Sequence, residues 1–254
     1  LELCLNYLGV GKYQKSFFIE FGIPIDVLRS YIDDLNEYNK DMEVPKFGYG
    51  NIHNDYGPGF YCTQQLSMAG EWACKTGNNG YINKYNLNLE ELNVLNLLDK
   101  KFNILNWMAL LLANRTFRIS SPIGHDAKKY IMDNFLIDIG GYDIIKGYRA
   151  DDSYFSFAQA FIDNTLSIQG LNKALYLGKL GEQIVLCSPK AFANIKFLDS
   201  EIAKKEVYHP MFMLRDRLAR KEYREKVSHI IDIKKDMFVL DIMRAGLKND
   251  DIRL

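Results

Sequence analysis

Asn54-Asp55-Tyr56-Gly57-Pro58-Gly59-Phe60-Tyr61-Cys62-Thr63 is a glycine-punctuated turn that runs into an aromatic strand. Far downstream, Gly181-Glu182-Gln183-Ile184-Val185-Leu186 sets an acid at the head of a short apolar strand. Glycines at 57 and 59 suit a tight turn, and they also let the backbone come close to a flat ligand. Asn54 and Asp55 are expected to bond the turn backbone with their side chains, at a place where a ligand would pass. An acid such as Glu182 either caps its strand in solvent or serves chemistry.

Outward from these two stretches the chain alternates short strands and helices. Residues 45–63 are loop-like, with Pro45, Gly48, Gly50, Gly57, Pro58 and Gly59, and end in a strand over 60–63. Leu66, Ala69, Trp72 and Ala73 share one face of a helix over 66–74. Residues 75–80 form a turn cluster, 81–87 alternate as a strand, and 92–98 read as another. Apolar residues fill a helix over 104–114, and a further helix spans 126–135. Tyr142–Tyr148 reads as a buried strand, 153–164 and 168–177 as helices, and 183–187 and 193–198 as strands. Residues 201–226 read as a charged helix, with Glu201/Lys205, Asp216/Arg220 and Glu222/Lys226 at i,i+4. A last apolar segment covers 238–243. This interleaving predicts an α+β domain rather than a doubly wound parallel sheet, and no glycine-rich nucleotide fingerprint follows a strand.

Residues 1–44 read as a separate helical module, with the larger domain covering 45–254. Gln14-Lys15, Phe21-Gly22-Ile23-Pro24 and Leu28-Arg29 resemble a helix-turn-helix. Charge argues against DNA: Lys12, Lys15, Arg29 and Lys40 stand against Glu2, Glu20, Asp26, Asp33, Asp34, Glu37, Asp41 and Glu43. An acidic module lacks the phosphate-neutralising contribution to DNA binding. A cap or a partner-docking module is the expected role.

The chain of 254 residues carries 32 basic and 32 acidic side chains, so bulk charge favours neither nucleic acid nor a membrane surface. Cys4, Cys62, Cys74 and Cys187 are scattered, as are the histidines, and no metal site is expected. Four small buried thiols in a reducing compartment fit this pattern. The apolar run Trp107–Ala113 is too short to span a bilayer and no leader is read, so a cytoplasmic location is expected.

Gly57-Pro58-Gly59-Phe60-Tyr61, followed by Ser67 and Trp72, resembles the Gly-x-Gly-[Ile/Phe]-Tyr strand and following helix of poly(ADP-ribose)-polymerase-type ADP-ribosyltransferases. Gly181-Glu182-Gln183-Ile184-Val185 resembles the strand that carries their catalytic glutamate. The chain is more closely similar to a bacterial family of unknown function with an ADP-ribosyltransferase-like fold. That family is marked by Asn-Asp-Tyr-Gly-x-Gly-Phe-Tyr-x-Thr, Glu-Trp-Ala, Asn-Trp-x-Ala-Leu-Leu, Tyr-Asp-Ile-Ile-x-Gly-Tyr-Arg-Ala-Asp-Asp-Ser-Tyr-Phe and Gly-Glu-Gln-Ile-Val. Here these are residues 54–63, 71–73, 106–111, 142–155 and 181–185. The resemblance implies an ADP-ribosyltransferase-like split sheet over 45–254.

It also implies NAD as substrate and mono-ADP-ribosyl transfer in the manner of an intracellular toxin or defence effector; the acceptor is left open among protein, nucleic acid and small molecule, with neutral net charge favouring a protein over a nucleic acid. Glu182 would orient the ribose and stabilise a ribosyl cation, a transition state akin to that of glycoside hydrolysis. Tyr61 and Trp72 would hold nicotinamide, unless they are core aromatics. Gly57, Gly59, Asn54, Asp55 and Gln183 would border the dinucleotide. Arg149, Asp151 and Asp152 form either an internal Arg–Asp network that holds the loop, the favoured role, or contacts with NAD phosphates or an acceptor. One departure is plain. The family opens with Tyr-His-Gly-Ser, and no Tyr-His-Gly occurs here; Tyr7-Leu8-Gly9-Val10 lacks the histidine, and His53 lies on another segment. The alternative is therefore a catalytically silent module of the same fold that works through a partner protein.

Overall fold

The computed structural model describes residues 2–7, 45–48, 50–150, 152–175, 177, 182–226 and 236–252. It divides into two compact units. The first takes its described residues from Leu1–Lys46, Gln64–Leu89 and Asn194–Phe212; the second from Phe47–Thr63, Glu90–Ala193 and Met213–Leu254. The chain is a mixed α+β protein, as its alternating patterns predict.

In the first unit, β1 (Glu2–Tyr7), β3 (Gly80–Leu87) and β7 (Ile195–Ala203) form an antiparallel sheet in the order β1-β3-β7. Glu2–Tyr7 lies within the segment read as helical, yet it pairs with β3 from Glu2 against Asn86 to Tyr7 against Tyr81. The helix-turn-helix reading falls on residues 8–44, outside the described residues. Helix α1 (Leu66–Ala73) brings Ala69 and Ala73 against Ile82 and Ala203, with Cys74 and Tyr208 beside them. Strand β7 runs longer than its sequence suggests and takes 201–203 from the expected charged helix. Pairing decides this: Glu201, Ile202 and Ala203 sit opposite Ile82, Tyr81 and Gly80, and Ala203 is fully buried. The charged helix, α7, therefore starts at Lys205 and runs to Lys226.

In the second unit, β2 (Phe60–Cys62), β6 (Glu182–Leu186), β5 (Ile144–Tyr148) and β4 (Val94–Asn96) form a sheet in the order β2-β6-β5-β4. β2/β6 and β6/β5 are antiparallel, while β4/β5 is parallel. The middle strands are apolar on both faces, with Ile144, Ile145, Ile184, Val185 and Leu186 all fully buried. Around them stand α2 (Ile104–Asn114), α3 (Pro122–Phe135), α4 (Asp152–Ile162), α5 (Ile168–Leu175), the short α6 (Pro189–Ala193) and α8 (Val239–Arg244). Helix α2 is buried from Ile104 to Leu112, as an all-round apolar helix must be. Its start is fixed by a capping box: Asn103 Oδ1 accepts from Leu105 N at 2.9 Å and Asn106 Oδ1 accepts from Asn103 N at 2.9 Å. Asn106 Nδ2 also donates to Phe135 O at 2.9 Å, which satisfies a buried amide and ties α2 to the end of α3. Among the described residues no helix is long and apolar enough to cross a membrane.

Candidate functional site

β2 and β6 lie side by side, so the two stretches that open the sequence reading become neighbours in the second unit. Phe60 pairs with Leu186, Tyr61 with Val185 and Cys62 with Ile184. The turn before β2 closes when Gly57 N donates to Asn54 O at 3.0 Å. Gly57 has φ +78°, which disfavours any side chain. Gly59 is required for a different reason. A Cβ there would lie 2.6 Å from Val185 Cγ1 and 2.9 Å from Leu186 O, so its absence lets the turn lie down on β6. Tyr61 holds the turn from within: its hydroxyl donates to Gly57 O at 2.7 Å and accepts from Tyr56 N at 3.0 Å. Burial, opposed by the Tyr56 N–H, drives the Tyr61 phenol pKa far upward, so it stays protonated.

Asp55 is the centre of the arrangement. Its side chain does not bond the turn locally, as the sequence reading expects of it and Asn54. It reaches across to three other segments. Oδ1 accepts from Arg115 Nη1 at 3.0 Å, at the end of α2. Oδ2 accepts from Ala150 N at 2.9 Å, just past β5, and from Gln183 Nε2 at 3.1 Å, on β6. The Asp55 residue is 6 % exposed. Burial raises its pKa, against the pull of the Ala150 N–H, Arg115, Gln183 and Arg149. Arg149 is itself buried, and its charge lies near Asp55. Asn54 contributes through its backbone carbonyl. Beside Asp55, the Tyr56 hydroxyl donates to Tyr148 O at 2.6 Å, and the ring is 2 % exposed.

The other expected site residues lie as follows. Glu182 is the first residue of β6, is exposed, and pairs with Tyr148. Side chains alternate along a strand, so Glu182 leaves the sheet on the face opposite Gln183 and Tyr61. Gln183 is buried and spends its amide on Asp55. Trp72 belongs to the first unit, half-buried on α1, with Lys75 Nζ 5.7 Å from its ring centre. Gly181 and Asp151 lie outside the described residues, as does the side chain of Asp152. His53 is exposed in the loop. Among the described residues no cluster of His, Cys, Asp or Glu is placed to hold a metal ion. Cys62 and Cys74 are buried thiols, while Cys187 is half-buried.

Sequence reading missed Arg115, Tyr56 and the Gly147-Tyr148 strand end. Arg115 left one signal, a charge at the end of a largely apolar helix. Gly147 lies where the Tyr56 phenol crosses β5: a Cβ there would overlap the Tyr56 hydroxyl.

A family model described as a protein of unknown function, DUF3990, matches residues 38–197. The chain belongs to the DUF3990 family. No curated protein and no solved structure matches it. The DUF3990 match takes in the whole Asp55 network and both of its strands, β2 and β6. Helices α7 and α8 lie beyond the DUF3990 match.

Proposed function

We propose that this DUF3990 protein transfers ADP-ribose from NAD to an acceptor, with Glu182 as the acid of the site. The observation that carries the proposal is the adjacency of β2 and β6. Motifs separated by more than a hundred residues of sequence become paired strands, and Glu182 is exposed at the head of a strand otherwise buried. In the reaction the bond between the ribose C1′ and the nicotinamide nitrogen breaks, and nicotinamide leaves with the electron pair. An acceptor nucleophile bonds to C1′ and loses its proton to solvent. Glu182 would hold a ribose hydroxyl and stabilise the positive charge that develops on the sugar. The close-lying turn at Asn54, Gly57 and Gly59 would offer backbone to the dinucleotide, and Tyr61 holds that turn from the face opposite Glu182.

The test is nicotinamide release from NAD by the full chain, with cell lysate as a source of acceptors. Glu182→Gln is expected to slow release by about a hundredfold or more, and to leave the melting temperature unchanged because the side chain is exposed. The second reading, a silent module acting through a partner, is favoured by the absence of any Tyr-His-Gly. It prevails if the wild-type protein releases no nicotinamide and NAD causes no thermal shift.

A further inference from the structure

We infer that Asp55 is the positioning residue of the site, fixing the β5–β6 strand end from which Glu182 projects. The inference rests on the transferase reading for the role of Glu182, but not for the coupling itself. Strand ends fray unless something holds them. Here the last pair of the β5/β6 ladder is Tyr148 against Glu182. Side chains of Asp55 and Tyr56, two adjacent residues, grip both strands at that end. Asp55 Oδ2 accepts from Gln183 on β6 and from Ala150 N just beyond β5. The Tyr56 hydroxyl donates to Tyr148 O on β5. The Gln183 amide also lies 3.5 Å from Tyr148 O, so one side chain spans both strands. Arg115 closes the set from α2 and fixes the carboxylate itself. Gln183, expected to border the dinucleotide, is buried and donates its amide within the protein.

This grip depends on charge. Ionised Asp55 offers only acceptors, which suits the three donors that face it. Once protonated, it must present an O–H among those donors and loses its attraction for Arg115. Among the described residues, the charged and titratable groups around it are Arg115 from the end of α2, Arg149 from the exit of β5, and the phenols of Tyr56 and Tyr61 from the turn and β2. The Gln183 amide faces it from β6. Neutralising Asp55 should therefore alter the hydrogen bonds of Gln183 and Ala150 together and be felt at the adjacent Glu182.

The deciding experiment is an amide NMR titration of the full chain over the whole pH range in which it stays folded. The Gln183 side-chain amide, the Ala150 amide and the Glu182 amide are expected to shift with one common midpoint above the ordinary aspartate value. The Gln183 and Ala150 shifts should persist in Glu182→Gln and vanish in Asp55→Asn. If these signals move independently, at an ordinary carboxylate midpoint, or unchanged in Asp55→Asn, the inference is overturned. Should Asp55→Asn not fold, wild type beside Glu182→Gln decides the matter.

Kinetics supply the second arm. Asp55→Asn is expected to lower kcat for nicotinamide release at least tenfold, with KM for NAD changed no more than about threefold. Wild-type kcat in this variant would also refute a positioning role. If wild type releases no nicotinamide, the transferase reading falls, and the titration alone judges the coupling.

Discussion

Gly147→Ala should unfold the second unit more easily, and the reason is local. A methyl group at position 147 would overlap the Tyr56 hydroxyl and come within 3.0 Å of Leu97 Cδ1. Tyr56 cannot swing away freely, because its ring is buried and its hydroxyl is bound to Tyr148 O at 2.6 Å. Overpacking of a buried site costs about 1–3 kcal/mol. Displacing the phenol would also leave a buried donor and acceptor short of a partner, at about 1–3 kcal/mol. Alanine recovers roughly 0.5–1 kcal/mol over glycine within a strand. The expected net loss is about 2–4 kcal/mol. Tyr56→Phe alone should cost about 1–2 kcal/mol, for the lost buried hydrogen bond. It removes the atom that the new methyl group meets first, so Gly147→Ala should cost at least about 1 kcal/mol less in that background. Urea denaturation followed by Trp107 fluorescence measures this directly, in a Trp72→Phe chain so that only the second unit reports. Equal costs of Gly147→Ala in the two backgrounds would show that the Tyr56 hydroxyl is not what the methyl group meets, against this account.

The remaining predictions concern titration and thiol chemistry. Burial raises the Asp55 pKa, so between the ordinary aspartate value and that raised value the native state binds more protons than the unfolded chain. This group's contribution to stability should fall as pH rises through that window, and Asp55→Asn should flatten the profile there. Asp143 behaves oppositely. Its Oδ1 accepts from Ser188 Oγ at 2.5 Å and its Oδ2 from Asn93 N at 2.9 Å, and these bonds lower its pKa. Its contribution should be present above the ordinary aspartate value and vanish as pH falls through the lowered one; Ser188→Ala should shrink that acid-side loss in denaturant titrations. Burial pushes the Cys187 thiol up to about 12. Its alkylation at pH 8 in the native protein should be roughly a thousandfold slower than in urea, read by mass spectrometry of its peptide, and a fast native reaction would contradict that environment.

Most of the elements are legible along the chain. Helix α2 is legible because nine of its eleven residues are apolar, and β5 and β6 because they are short apolar runs bounded by polar residues. Gly57 is legible because a turn with positive φ needs glycine. These signals are local: a few consecutive residues carry each pattern, and the chain need not be folded for it to be read. Other features arise only from long-range packing. Strand β7 extends into the charged segment because β3 offers it partners there. Gly59 is glycine because β6 lies against it, which no turn rule contains. Asp55 looks like an ordinary turn acid, yet its partners Arg115, Ala150 and Gln183 lie 60, 95 and 128 residues away. A buried carboxylate takes whatever donors the packed chain brings to it. Spacing along the sequence does not encode which donors those are, because only the stacking of β2, β6, β5 and α2 places them within reach of one another.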